Sequence, residues 1–362
     1  MTRYVGVDLH RRRSVIVVLD GDGSELWTTR IDNDPLTLGL EIEKAGPGPE
    51  VVLEATWGWY WAAEVITEAG GRVHLAHPLG IKGFENRRVK NDRIDARLLA
   101  DLLRMGMLPE AWIAPDPIRQ RRELVRYRRK LSQLRAGLKA QVHSVLGKEG
   151  LIPPIGHLWG PGGKVWLDDT AMGDAYETRV RSLRRLIKGY DTEIAKLDTT
   201  IAAAFNGDRG YETIQAVSGI GPVLGAVFCA ELGDASRFAS AKQVCSWAGL
   251  TPRHRESDTT IHRGSITKQG PPLVRWAAIE AVSKNHGDDP IKGLYRRVAE
   301  RRAGTRLGWR RPAKSSRWST TGYVTARSGA SLRPRQRDWR TRSGDCELEI
   351  GMAPNRWRGR LM

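Results

Sequence analysis

The stretch from Tyr4 to Leu19, YVGVDLHRRRSVIVVL, places the first constraint on how this chain folds. Two arms rich in β-branched residues flank a short basic turn, and the turn-prone DGDGS comes after them. The pattern reads as strand, turn, strand, and ELWTTRI supplies a third strand. Beyond the loop GPGPE, VVLEAT is a short buried strand leading into the amphipathic WYWAAEVITEAGG, which ends in glycines as helices often do. RVHLAHP is another strand, closed by Pro78, and KNDRIDARLLADLL opens a further helix. Strands interleaved with helices predict an α/β sheet domain over residues 1–110.

The following stretch changes character. A helical segment running roughly from Pro117 to Lys148 carries Leu131, Leu134, Leu138, Val142 and Val145 along one side. A second, near residues 176–205, sets Val180, Leu183, Ile187, Tyr190, Ile194, Leu197 and Ile201 at alternating steps of three and four, a heptad seam. With a Gly/Pro-rich connector between them, residues 111–208 are expected to form an antiparallel helical hairpin or coiled coil. Such a seam also suits an oligomer. Residues 209–303 read as a helical domain with a polar loop between SAKQVCSWAGL and PPLVRWAAIEAVSKN. Within it SGIGP resembles a helix-hairpin-helix turn, whose backbone N–H groups can face a phosphate.

From residue 304 to 362 the periodicity fades, and two readings of this basic tail stand. One is a disordered arm for nucleic acid. The other is a frameshift, which would make this an inactive copy. The genetic code permits Lys314–Gly329 to be encoded so that a one-nucleotide shift yields KVLTLVYYGLRDGEIR, aliphatic-rich where the actual tail is not.

Charge points to the partner class. The formal charge is +18 and the pI near 10.2, which favours a polyanion, most simply nucleic acid. Half of that excess lies in the last 54 residues, where 13 Lys and Arg face 4 Asp and Glu. No apolar run of about eighteen residues appears, and MTRYVGVDLH lacks a signal-peptide core, so a cytoplasmic protein outside any membrane is expected. Cys229, Cys245 and Cys346 form neither a disulfide framework nor a zinc signature.

Four acids stand out against this basic background. Asp8 ends the first strand, Glu54 ends a neighbouring one, and Asp92 and Asp95 open the later helix. If that helix crosses the sheet, all four converge, as in RNase H-like nucleases. Crowded carboxylates need a cation, and hard oxygen ligands suit Mg²⁺ or Mn²⁺. Two such ions about 3.5–4 Å apart stabilise both the attacking and the leaving oxygen at a phosphate. Taken singly, Asp92 also fits a helix cap, and Glu54 a strand-end surface charge.

YVGVDLH, LEATWGWYW, KNDRIDARLLADLL and the long segment SGIGPVLGAVFCAELGDASRFASAKQVCSWAGLTPRHRESDTTIHRGSITKQG together resemble the DEDD transposases of the IS110 insertion sequences, relatives of Piv-type DNA invertases. The resemblance covers residues 4–300. It implies a RuvC-like N-terminal domain, a coiled-coil linker and a C-terminal transposase domain, with the acidic tetrad on Asp8, Glu54, Asp92 and Asp95. It also implies a nucleophilic serine at Ser257. Family members usually show Gly after this serine, where Asp258 stands here, and Ser265 is the alternative. A serine hydroxyl needs its proton removed, or the charge at phosphorus stabilised, before it attacks. Metal ions can do both while Arg253, Arg255, Arg263 and Lys268 grip phosphate oxygens. The implied reaction cuts and rejoins DNA through a phosphoserine. It is guided by a bridge RNA and completed between protomers of a dimer or tetramer.

Other residues keep two readings. His10, Arg11, Arg12 and Arg13 suit phosphate or guide RNA, and equally a solvated turn; Lys90 flanks the paired aspartates. Trp57, Trp59, Tyr60 and Trp61 offer stacking surfaces or pack a helix on the sheet. Arg121, Arg122, Arg126, Arg128, Arg129 and Lys130 follow a nucleic-acid backbone or solvate an exposed face. Three competing functions remain in view. The first is a RuvC-like metal-dependent junction nuclease in which water attacks. The second is a defective nucleic-acid-binding remnant. The third is a sugar-kinase-like ATPase, disfavoured because no glycine follows Asp8 to bring backbone close to a nucleotide.

Overall fold

Strands β1 (Tyr4–Leu9), β2 (Arg13–Leu19) and β3 (Glu25–Asp32) form an antiparallel meander, while β4 (Glu50–Glu54) and β5 (Arg72–Ala76) run parallel to β1. Their order in the sheet is β3-β2-β1-β4-β5. Three antiparallel strands followed by two parallel ones, with helices as the crossovers, is the RNase H-like arrangement expected from the sequence. The computed structural model describes residues 1–84, 91–257, 260–285 and 290–307. The chain divides into two compact units, Met1–Pro115 and Asp116–Met362.

Alternation along the strands sorts the first unit into two cores. Val5, Val7 and Leu9 of β1, Ile16 and Val18 of β2, and Val51 and Leu53 of β4 share one face. That face is covered by α1 (Pro35–Lys44) through Leu38 and Ile42, and by α2 (Trp59–Glu68) through Ala62 and Ile66. Burying an aliphatic side chain of this kind contributes about 1.5–3 kcal/mol. The opposite face joins Val15, Val17, Leu19 and Val52 to Ala96, Leu99 and Ala100 of α4 (Asp92–Arg104). Short α3 (Pro78–Ile81) adds Ile81 there. Helix α1 was not anticipated in the sequence, although its signals are present. Asp34 accepts from the Thr37 N–H at 2.8 Å, and Pro35 occupies the first turn.

Glycine makes one of these layers possible. A Cβ on Gly6 would lie 1.9 Å from the Ala96 carbonyl oxygen, so only a glycine lets α4 lie directly on β1. The backbone contact decides where the start of α4 falls.

In the second unit, α5 (Asp116–Lys148) and α7 (Asp174–Ala204) pack antiparallel, joined through α6 (Pro161–Asp169). The heptad seam faces inward: Val180, Leu183, Ile187, Ile194 and Ile201 are buried, and Tyr190 and Leu197 half-buried. Arg128 pairs with Asp198 and Arg135 with Asp191, each at 2.5 Å, in the inverse register that antiparallel helices require. Helices α8 (Arg209–Gln215), α9 (Pro222–Leu232), α10 (Ala241–Trp247), α11 (Pro272–Lys284) and α12 (Pro290–Leu307) follow. Phe205, Tyr211, Leu224, Val227 and Ala277 form the core that ties α7, α8, α9 and α11 together. In the SGIGP turn, Gly219 has φ +89°, and a Cβ there would meet the Ala281 carbonyl at 2.2 Å. The turn is thus seated against the end of α11.

Two readings of this unit change. The expected polar loop is a hairpin, β6 (Pro252–Ser257) paired antiparallel with β7 (Thr260–Ile266). Arginine and histidine on a two-stranded ribbon carry no apolar alternation, so the strand signal was invisible. The basic run at the start of α5 is largely internal structure. Arg122 donates to the carbonyls of Ala230 and Glu231 at 2.9 and 2.8 Å, satisfying the open C-terminus of α9. Arg126 grips both oxygens of the Glu231 carboxylate at 2.7 and 2.8 Å, Arg121 pairs with Asp208 at 2.7 Å, and Arg129 lies 3.9 Å from the Trp276 ring centre. The tail beyond Leu307, with its two readings and Cys346, lies outside the described residues.

Candidate metal centre

Asp8 and Glu54 reach one cleft because of strand register. Gly6 pairs with Val52 and Val7 with Leu53, so Asp8 and Glu54 come next on adjacent parallel strands and project to the α4 side. Both are half-buried. The cleft has a volume of about 580 Å³ and is lined by Asp8, His10, Arg11, Glu54, Thr56 and Trp57.

Helix α4 delivers the other two acids. Asn91 is its cap, its side-chain oxygen accepting from the Arg93 N–H at 3.0 Å. The capping role open to Asp92 is therefore filled by its neighbour. Asp92 instead turns its carboxylate to His10, whose Nε2 lies 3.4 Å from Asp92 Oδ1 and 3.1 Å from Asp8 Oδ2. One ligand atom from each of Asp8, His10 and Asp92 falls within 4.8 Å of the others, a donor set that fits a divalent cation. Asp95 shares the first turn of α4 and is half-buried, outside that trio. The helix is held at this end by Arg93 and Arg97, which donate to Glu25 of β3 at 2.6 and 3.0 Å. The Thr28 hydroxyl donates to the same carboxylate at 2.6 Å. That hydrogen bond, with help from the two arginines, holds the Glu25 carboxyl below the usual range.

The aromatic cluster divides. Trp59 and Trp61 pack against the sheet core, and Tyr60 meets Trp59 edge-on at 4.3 Å between ring centroids. Trp57 is 62% exposed on the cleft. Arg11 and Arg12 are exposed on the turn after β1; Arg13 begins β2 and pairs with Asp32 at 3.2 Å. Lys90 lies outside the described residues.

Ser257 ends β6 opposite Thr260 and is exposed, as are Arg253 and Arg255 on the same strand. Ser265 is exposed on β7, and Arg263 pairs in register with His254. Lys268 marks the root of the hairpin with φ +58°, its N–H donating to the Gly249 carbonyl at 3.0 Å. Cys229 offers no competing nucleophile, because burial pushes its thiol up to about 11. What sequence reasoning missed is the position of His10. Its only signal was its place two residues beyond Asp8, past the end of the strand.

Comparison with known proteins agrees with this architecture. Residues 5–149 match a family model for the DEDD transposase of IS110, described as "Transposase", and residues 211–290 match "Transposase IS116/IS110/IS902 family". The chain is 28% identical over 233 residues to the "Probable family 20 transposase" of Pseudomonas aeruginosa, covering 62% of this chain and 67% of that one. It is 22% identical over 294 residues to the "Transposase for insertion sequence element IS1111A" of Coxiella burnetii, covering 77% of each. Among solved structures, T. thermophilus RuvC in complex with a Holliday junction substrate aligns over 31% of this chain and all of its own, at 14% identity and TM-score 0.23. A likeness at that level adds nothing to what the strand order already states. Two family models, in order and together spanning more than half of the chain, leave one conclusion: it belongs to the IS110 family of transposases.

Proposed function

We propose that this transposase cuts and rejoins DNA by attack of Ser257 on a backbone phosphate, at a centre where Asp8, Glu54, Asp92 and Asp95 hold Mg²⁺ or Mn²⁺. The observation that carries the reading is the cleft shared by Asp8 and Glu54, with a carboxylate oxygen of Asp92 within 4.8 Å of one of Asp8. When bound, the ions supply charge to the phosphate oxygens and acidity to the attacking and leaving oxygens. The residues of the chain do the rest. Register fixes Asp8 and Glu54 side by side, and α4 brings the third and fourth carboxylates. Arg11 and Trp57 border the cleft, one suited to a phosphate and the other to a base.

Ser257 stands at the tip of an exposed ribbon, where a hydroxyl can enter a duplex or a junction. In the step proposed, the Ser257 Oγ–phosphorus bond forms as the phosphorus–oxygen bond of the strand breaks. The serine proton ends on the leaving hydroxyl, and a second strand's hydroxyl reverses the exchange. Arg253, Arg255, Arg263 and Lys268 lie on or beside that ribbon and suit the neighbouring phosphates. Carboxylates and serine belong to different units of the chain. The family resemblance accordingly supports a dimer or tetramer in the cytoplasm that combines them, with a bridge RNA choosing the DNA. Among the described residues no helix is long and apolar enough to cross a membrane.

The deciding experiment supplies the protein with RNA transcribed from its own flanking DNA, donor and target plasmids, and Mg²⁺. Recombinant product and a covalent protein–DNA adduct are expected, both lost in Ser257→Ala. Cleavage without an adduct would instead identify a nuclease that uses water. Full recombination by Ser257→Ala would refute the serine.

A further inference from the structure

We propose that His10 is itself a ligand of the ion held by Asp8 and Asp92, so that the centre carries an imidazole nitrogen beside its carboxylates. The inference rests on the metal-centre reading above and extends it to a residue outside the acidic set.

The first observation is distance. His10 Nε2 is 3.1 Å from Asp8 Oδ2 and 3.4 Å from Asp92 Oδ1. Donors bound about 2.0–2.1 Å from an octahedral ion sit roughly 3 Å from their neighbours around it. His10 Nε2 is therefore spaced from each carboxylate oxygen as adjacent corners of one coordination sphere are, and ligand atoms of the three residues lie within 4.8 Å of one another.

The second observation is how His10 is held. Its backbone N–H donates to the Arg13 carbonyl at 3.2 Å, and its carbonyl accepts from Asn33 Nδ2 at 2.6 Å. Asn33 is fixed in turn, its N–H donating to the Arg12 carbonyl at 2.9 Å and its side-chain oxygen accepting from the Ser14 hydroxyl at 2.6 Å. The turn after β1 is thus tied from both sides to the start of β2 and the end of β3. The imidazole is delivered to the two carboxylates by a braced backbone, which is what a ligand needs and an ordinary solvated turn does not.

A hydrogen-bonded imidazole and a metal-bound one make opposite demands on the same atom. Bridging two carboxylates requires a proton on Nε2, whereas ligation requires its lone pair. Nitrogen ligation also has a consequence for metal choice. Imidazole suits transition ions such as Zn²⁺, Fe²⁺ and Ni²⁺ best. Mn²⁺ stands at the weak, oxygen-preferring end of that series but accepts a nitrogen more readily than Mg²⁺, whose ligands are oxygens. The centre is expected to bind Mn²⁺ more tightly than Mg²⁺, with most of that preference lost in His10→Ala.

The test uses the full chain with Mn²⁺ as probe. Free Mn²⁺ is counted by electron paramagnetic resonance, and the bound ion is examined by pulsed methods for coupling to ¹⁴N. Wild type is expected to show nitrogen coupling. His10→Ala and His10→Gln are expected to lose it and to bind Mn²⁺ about tenfold or more weakly, with Mg²⁺ competition changed far less. His10 is 47% exposed in its side chain, so both variants should fold, which circular dichroism checks. Coupling that survives in both variants, or its absence from a wild-type protein that binds Mn²⁺, overturns the assignment. An Asp8→Asn protein separates the two layers of argument. If Asp8→Asn abolishes binding while wild type shows no nitrogen, only the His10 role is lost. Failure of wild type to bind any Mn²⁺ removes the metal centre itself and the His10 assignment with it.

Discussion

At the scale of single residues, exposure decides between roles that composition leaves tied. Four aromatic residues crowd TWGWYW, yet Trp59 and Trp61 are taken by the core and Trp57 is left at the cleft. Stacking on one base contributes about 1–3 kcal/mol. Trp57→Ala should therefore weaken binding of a cleft-spanning oligonucleotide roughly tenfold, measured by fluorescence anisotropy, without lowering the melting temperature. Unchanged affinity would return Trp57 to the ordinary surface. Glu231 presents the reverse case. Its side chain is 2% exposed, and Arg126 holds both of its oxygens. Removing one partner of a buried pair costs about 3–5 kcal/mol. Because Arg126 is itself about half exposed, Arg126→Ala should fall near the lower figure, read as a lower urea midpoint. Adding Glu231→Gln should recover part of the loss.

At the scale of elements, the placement of α4 is the critical feature, since it carries two of the four acids. The contact at Gly6 sets its height above the sheet. Gly6→Ala puts a methyl where the Ala96 carbonyl lies, an overpacking cost of about 3 kcal/mol. The variant should melt earlier and lose recombination together, whereas Ser257→Ala should lose recombination alone. The Glu25 clamp ties the same helix to β3 and brings a pH dependence. Its folded pKa lies below the unfolded value, so its stabilisation is present above about pH 4.3 and lost as pH falls through the lowered value. Acid titration followed by circular dichroism should show this loss, and Glu25→Gln should flatten that part of the curve. An identical acid transition in the variant would remove Glu25 from the account.

At the scale of the whole molecule, a charge of +18 makes salt the natural probe of nucleic-acid contact. The logarithm of the binding constant should fall linearly with the logarithm of salt, by about 0.9 for each phosphate neutralised on duplex DNA. Arg11→Ala and Arg255→Ala should each reduce that slope by about one; slopes equal to wild type would free both from phosphate contact. Much of the architecture was legible in the residues. Hydrophobic period distinguishes the alternation of β1 from the heptad steps of α7, while β2 is marked by its β-branched run, buried on both faces. It failed at β6 and β7, whose residues face solvent and carry no such rhythm, and at the arginines of α5, whose partners lie on other helices. The same limit applies at the cleft. Order along the chain put carboxylates at strand ends and at a helix start, since those termini are written locally in strand and capping preferences. Only the folded chain could bring His10 between Asp8 and Asp92, or leave Trp57 outside the core. Which groups meet across a gap depends on strand register and on one glycine's missing methyl, and both act between segments far apart along the chain.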